Sequence, residues 1–312
     1  MSLTITFLGT SGSVPTSKRA LPAIAIQRKD ELILFDCGEG LQRQMIQAKI
    51  GFHKKTKVFI THMHGDHVLG LPGLLQTMSL LERESKLDIF GPVGIKAFIE
   101  AIKQTVQFVL TFPINVYEIE KDDTVCREKE YEISAMWAEH VAPSLAYALV
   151  EKPRPGRFFP EKAKRLGVEE GPLWAKLQHG MSIRLPSGQL VKSEEVTGPL
   201  RLGRKIVYTG DTKSTENLVK FAENADLLIH DATFDDELVE RAQEDGHSTP
   251  SQAAETAKKA NVKQLILTHI SARYRDASLL LEQAKKIFSK VDVAEDLVKI
   301  DLPLQDAEDR KV

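Results

Sequence analysis

The chain has 312 residues, with 42 Lys and Arg against 44 Asp and Glu for a formal charge of −2, 42% hydrophobic residues and two cysteines. That length supports one large core or two smaller ones, and the ordinary share of apolar and charged residues excludes wholesale disorder. Cys37 and Cys126 are too few for a disulfide scaffold, no apolar run nears the roughly 18 residues that cross a bilayer, and MSLTITFLGTSGS has neither the basic start nor the apolar block of a signal peptide.

The expectation is therefore a soluble, cytoplasmic protein without a membrane partner. Near-neutrality taken alone argues against a nucleic-acid partner, although an average conceals its distribution. Thr4–Leu8 alternates as a strand does and ends in the turn-rich Gly-Thr-Ser-Gly-Ser. Ala23–Gln27 and Leu32–Phe35 follow as strands, the second closing on Asp36-Cys37-Gly38-Glu39-Gly40, and a helical pattern runs from Leu41 to Ile50. Val58–Thr61 reads as a short buried strand running into His62-Met-His-Gly-Asp-His67, with a helix over Leu71–Leu81 behind it. Further strands are predicted at 87–90, 114–120, 131–137 and 145–150, and a helix at 94–108. Strands of antiparallel appearance interspersed with helices predict layered αβ packing.

Composition changes between Glu151 and Thr197. Residues 151–180 hold four prolines and four glycines, and two short helices are predicted, one opened by Pro160 and stopped near Gly167, the other opened by Pro172 and stopped near Gly180. Each is too short to be stable alone in water. Residues 151–205 carry twelve Lys and Arg against six acids, a net +6, while the rest of the chain is net −8. Arg154, Arg157, Lys162, Lys164 and Arg165 lie close together in this stretch, a pattern suited to neutralising phosphates, so the segment reads as a projecting basic arm.

Strand patterning returns at Ile206–Thr209, Leu227–His230 and Leu265–Thr268. Thr249-Pro-Ser-Gln252 is a capping box with Pro at the first helical position and predicts a helix to Ala260. A last helix over 276–290 is predicted to bury Leu279, Leu280, Ala284 and Ile287 on one face, and Gln305–Val312 reads as a frayed polar tail. VFITH (58–62) and LILTH (265–269) echo each other. Half-domains meeting edge to edge would bring their terminal histidines together at one rim.

Three imidazoles and a carboxylate within six residues, His62, His64, Asp66 and His67, are ligands of zinc and its borderline neighbours. In an extended loop His62 and His64 point the same way, and a turn at Gly65 lets Asp66 and His67 face a second ion. A metal pair needs more donors, and His140, Asp211 and His269 stand at the ends of three predicted strands. His53, His179 and His230 read as surface, arm and strand-end residues without a role in the chemistry.

Taken in order, FLGTSGSVPT, FDCGEG, THMHGDH, GPVG, YTGDT, HDATF, GHSTPSQAAETA and THISARY resemble the metallo-beta-lactamase superfamily and, within it, ribonuclease Z in its short form, an endonuclease that trims the 3′ end of precursor tRNA. The resemblance implies an α/β fold, a four-layer αββα sandwich spanning 1–312 as one domain with an inserted flexible arm at 151–197. It assigns His62, His64 and His140 to one zinc and Asp66, His67 and His269 to another, with Asp211 bridging; Mn²⁺ can use the same ligands. It gives Asp66 and His247 catalytic roles in hydrolysis and makes Ser271 and Arg273 phosphate contacts. It also implies that the arm, through Arg157, Lys162, Lys164 and Arg165, clamps the tRNA body of a partner subunit, hence a homodimer. The alternatives are a small-molecule phosphodiesterase or glyoxalase-II-like hydrolase of the same superfamily, or a non-catalytic RNA-binding module. Pro15-Thr-Ser17-Lys-Arg19-Ala20 departs from the Pro-x-Lys-x-Arg-Asn loop of members that discriminate against a finished CCA end, so neither the cut position nor the handling of such tRNA follows from the resemblance.

Overall fold

Leu32, Ile33, Leu34 and Phe35 are all fully buried, so this strand is covered on both faces, which is why it reads as an apolar run and not as an alternation. The same holds through most of the computed structural model, which describes residues 3–304. The main strands are β1 (Leu3–Gly9), β2 (Ala23–Arg28), β3 (Glu31–Phe35), β4 (Lys55–Phe59), β5 (Leu87–Pro92), β6 (Ile114–Ile119) and β7 (Asp123–Arg127). They continue as β8 (Tyr131–Ala138), β9 (Ser144–Glu151), β10 (Lys205–Tyr208), β11 (Leu227–Asp231), β12 (Leu265–Thr268), β13 (Val291–Val293) and β14 (Lys299–Leu302).

Among the described residues these form two seven-stranded sheets, ordered β14-β1-β2-β3-β4-β5-β6 and β13-β12-β11-β10-β9-β8-β7. The sheets are mixed, which the antiparallel reading missed. β3 to β6 pair in parallel, as do β10 to β13. Parallel neighbours need a crossover, and the helices Leu41–Gln47, Gly70–Leu80 and Ile95–Thr105 supply it in the first sheet.

Side chains alternate between two interiors. Ile33, Phe35 and Phe59 of the first sheet meet Tyr147, Ile206, Tyr208 and Ile229 of the second in a shared core. Leu32, Leu34, Val58 and Ile89 turn outward against Leu41, Leu71, Leu74 and Ile99 on one helical layer. Val207, Leu228, Leu265 and Leu267 do the same against Ala253, Ala254, Ala257 and Ala284 on the other. The result is a helix–sheet–sheet–helix stack. β4 and β12 therefore belong to sheets stacked face to face, where the sequence echo had suggested an edge-to-edge meeting. Their inner faces are both apolar, and only face-to-face stacking removes both from water.

Two local differences have simple causes. The last helix is Ser278–Lys285, and within it Leu280 and Ala284 are fully buried while Leu279 is 48% exposed. Adjacent residues stand about 100° apart on a helix, so the i, i+4 pair wins the inward face. β7, β13, β14 and the helix Glu216–Ala222 were not legible as elements, being too short to show a period.

Residues 150–204 form a compact unit of their own, longer than the 151–197 segment marked by composition. The helices Pro160–Arg165 and Pro172–Gln178 open on their prolines and pack around Ala163, Val168, Leu177, Ile183, Val191 and Val196, giving them the tertiary support they lack alone. Buried Arg204 and Glu151 pair at 2.7 Å at the ends of this unit. The tail Gln305–Val312 lies outside the described residues. No helix among the described residues is long and apolar enough to cross a membrane.

Candidate metal centre

Every ligand candidate follows the C-terminal end of a strand. His62 to His67 follow β4, with His64 capping the one-turn helix Gly65–Val68 that turns Asp66 and His67 inward. His140 follows β8, Asp211 follows β10 and His269 follows β12. The loops are tight: Asp36 and His269 both adopt the left-handed region at φ 60°. A Cβ at Gly12 would sit 2.8 Å from the His269 ring, and one at Gly210, itself at φ 58°, would sit 2.8 Å from Thr61 Cγ2. Backbone stored in such conformations concentrates at functional sites.

The structure brings all seven candidates into two overlapping groups. His62, His64, His140 and Asp211 form one, and Asp66, His67 and His269 the other. Ring nitrogens crowd together: His67 Nε2 is 3.3 Å from His269 Nε2, and His140 Nε2 is 3.4 Å from His64 Nδ1. Asp211 reaches both groups, with Oδ2 at 3.6 Å from His62 Nε2 and 3.3 Å from His269 Nε2, and Oδ1 at 3.4 Å from His67 Nε2. Zn–N bonds of about 2.05 Å in a tetrahedron separate ligand atoms by about 3.3 Å, so the spacing fits the ion. Among the described residues, His62 Nε2 and Asp211 Oδ1 are buried with no hydrogen-bond partner, a costly arrangement that coordination satisfies.

Outer partners fix which ring nitrogen each imidazole presents. His67 Nδ1 donates to Asp36 Oδ2 at 2.8 Å, His62 Nδ1 to Thr61 Oγ1 at 2.9 Å, His140 Nδ1 to the Gly246 carbonyl at 2.8 Å and His269 Nδ1 to Thr233 Oγ1 at 2.8 Å. The Tyr208 hydroxyl, from the opposite sheet, donates to Asp36 Oδ2 at 2.8 Å. Asp36, Tyr208, Thr233 and Asp231 were missed by sequence reasoning. Their only signal is membership of the FDCGEG, YTGDT and HDATF stretches.

Burial pulls the His62 and His140 imidazoles below their ordinary pKa, keeping them in the neutral form that binds metal. Burial opposes the charge on Asp211, yet the surrounding His269, His67 and His62 hold its carboxyl well below the usual range. His247 is 7% exposed, and its ring stacks on His269 with centroids 5.2 Å apart and lies tilted against His140 at 5.0 Å. Burial disfavours its charge, but Asp231, 2.8 Å away at Nδ1, outweighs that and pushes the imidazole up to about 9. Asp211, Asp231, His247 and His269 also form a third cluster of donor atoms. Asp231 is there an acceptor more than a ligand, since His247, Thr233 and Thr212 already occupy its oxygens.

Ser271 and Arg273 line a cavity of about 410 Å³ together with His64, Asp66, His140, Asp211 and His247. Arg157, Lys162, Lys164 and Arg165 are exposed on the unit 150–204. Among the remaining histidines, His53 and His179 are exposed, while His230 is fully buried in β11.

Residues 3–150 match the family model described as anti-Pycsar protein Apyc1, and residues 177–270 match the beta-lactamase superfamily domain. Ribonuclease Z of Methanosarcina acetivorans is 49% identical over 302 residues, covering 96% of this chain and 98% of that protein. The chain belongs to the ribonuclease Z family. Ribonuclease Z of Archaeoglobus fulgidus is 47% identical over 98% of this chain and 100% of its own length. Human tRNase Z, short form, superposes with a TM-score of 0.71 at 31% identity, covering 96% of this chain and 99% of its own. YhfI from Bacillus subtilis, at 20% identity and a TM-score of 0.68, shares the fold. As a ribonuclease Z, the chain is an endoribonuclease on the metallo-beta-lactamase fold, and its His and Asp clusters form a site for divalent metal.

Proposed function

We propose that this ribonuclease Z removes the 3′ trailer from precursor tRNA, leaving a 3′-OH on the tRNA and a 5′-phosphate on the trailer, as a cytoplasmic homodimer with two zinc ions per subunit. What carries the reading is His247, a histidine held by its own buried carboxylate beside the ligand cluster, in a chain related over nearly its full length to ribonuclease Z.

His62, His64 and His140 would hold one ion and Asp66, His67 and His269 the other, with Asp211 between them. Such ions lower the pKa of water towards about 7 and draw negative charge off phosphate oxygens. Asp66, fixed by the Ser13 amide at 2.8 Å to Oδ2, accepts a hydrogen bond from the attacking water and aims it in line with the P–O3′ bond. Ser271 and Arg273 orient the phosphate. As the water oxygen bonds to phosphorus and the P–O3′ bond breaks, His247, whose charged form Asp231 favours, gives its proton to the departing 3′-oxygen. Arg157, Lys162, Lys164 and Arg165 neutralise phosphates of the tRNA body, which answers the objection raised by the neutral overall charge.

Replacing residues 151–197 with a short Gly/Ser linker tests the reading. Cleavage of precursor tRNA is lost while hydrolysis of a small chromogenic phosphodiester survives. Loss of both, or of neither, contradicts it.

A further inference from the structure

Phe234 is 5% exposed and packs edge-on to His247 with ring centroids 5.9 Å apart. Two guanidinium groups lie over it: Arg273 Cζ at 4.8 Å from the ring centroid and Arg241 Cζ at 5.8 Å. Both arginines line the same cavity of about 410 Å³ as the ligand cluster. Arg273 follows the last ligand strand, whereas Arg241 comes from the helix Val239–Asp245, which sequence reading gave no role. That helix is tied to the site: it ends on Gly246, whose carbonyl accepts from His140 Nδ1 at 2.8 Å, and the His247 amide donates to the Ala242 carbonyl at 2.7 Å.

The donors of the two arginines are only partly used. Arg273 Nε donates to Ser271 Oγ at 3.2 Å, and Arg241 Nε donates to Asp245 Oδ2 at 3.1 Å. The terminal amines of Arg241 meet no hydrogen-bond partner among the described residues. The Arg241–Asp245 pair is 58% and 42% exposed, so water screens it and Asp245 holds the guanidinium only weakly. Stacking on an aromatic ring restrains a guanidinium plane while leaving its edge open for bidentate contact with a phosphate.

We propose that Arg241, paired with Arg273 across Phe234, is a substrate-positioning residue that grips the phosphate of a nucleotide next to the scissile bond. One arginine serves the phosphate being cut, and its neighbour on the same aromatic platform serves the next phosphate along the strand. A single-stranded segment crossing the cavity is thereby held at two points, and the scissile group cannot slide past His247. The acids Glu244 and Asp245, on the same lining, repel RNA that does not displace Asp245 from Arg241.

This inference rests on the ribonuclease reading above. Its test is steady-state and single-turnover cleavage of precursor tRNA across a salt series by wild type, R241A, R241K and the remote surface variant R127A. R241A is expected to raise KM about tenfold with kcat within twofold, and to flatten the plot of log affinity against log salt by about 0.7, the share of one single-strand phosphate contact. R241K restores the salt slope but only part of the affinity, because it lacks the planar fork, and R127A changes neither. An unchanged KM and salt slope in R241A, or a fall in kcat with KM unchanged, overturns the proposal. Wild-type protein that hydrolyses a chromogenic phosphodiester but no RNA overturns the ribonuclease reading itself, before any substitution is made.

Discussion

Asp231 Oδ2 lies 2.8 Å from His247 Nδ1, and the same carboxylate also receives the Thr233 hydroxyl at 2.6 Å and the Thr212 amide at 3.2 Å. The imidazole is thus fixed in orientation and tautomer by a group that is itself held by two further donors. Because Thr233 Oγ1 also accepts from His269 Nδ1, the network joins His247, the proposed proton donor, to His269, a ligand candidate.

H247A should lower the single-turnover rate by about 10²–10⁴, the range for a lost general acid. D231N, which keeps the shape and removes the charge, should lower it by about 10–100-fold. Metal content measured by elemental analysis should stay at the wild-type value in H247A. A normal rate in either variant would contradict the role given to the pair.

Tyr208 belongs to one sheet and Asp36 directly follows a strand of the other, and their 2.8 Å hydrogen bond leads to the His67 imidazole. Y208F leaves Asp36 Oδ2 with one donor fewer, so His67 is less firmly aimed. Metal affinity, read by competition with a chromogenic chelator, should weaken about tenfold, and D36N should weaken it further. An unaltered affinity in both variants would show that the inter-sheet bond does not support the centre.

Far from the site, Glu130 accepts hydrogen bonds from Lys29 and Arg28, which hold its carboxyl down to about 2 from an ordinary 4.5. A depressed carboxylate contributes stability above its unfolded pKa and loses it as pH falls from about 4.5 to about 2. Glu130 is 43% exposed, so solvent screening limits the contribution to about 1 kcal/mol. E130Q should therefore unfold at lower urea at pH 7, with the gap from wild type closing below pH 4.5. A gap that persists unchanged to pH 2 would mean that packing, not charge, is responsible.

The seven ligand candidates were legible because four of them sit within one six-residue stretch and the other three end apolar strands before a turn. The partners that orient them were not. Asp36 aims His67 from 31 residues away, beyond the pairing of β3 with β4, and Asp231 holds His247 from 16 residues away, where the chain returns after the helix Val239–Asp245; no local pattern encodes either. The strands themselves were visible as apolar runs, but their direction depends on the crossover helices, so parallel pairing was missed. In the last helix, periodicity admitted both Leu279 and Leu280 to the buried face, and only the neighbouring layer decided between them. The arm showed in its prolines, glycines and charge, while its own small core around Leu177 and Val191 did not, since those apolar residues are scattered through polar sequence.

The most direct measurement is incubation of the metal-loaded protein with a precursor tRNA, followed by mapping both new ends. In-line attack by water on the phosphorus with departure of the 3′-oxygen predicts a tRNA ending in a 3′-OH and a trailer beginning with a 5′-phosphate. A tRNA ending in a 3′-phosphate or a 2′,3′-cyclic phosphate, or a precursor left intact, would contradict it.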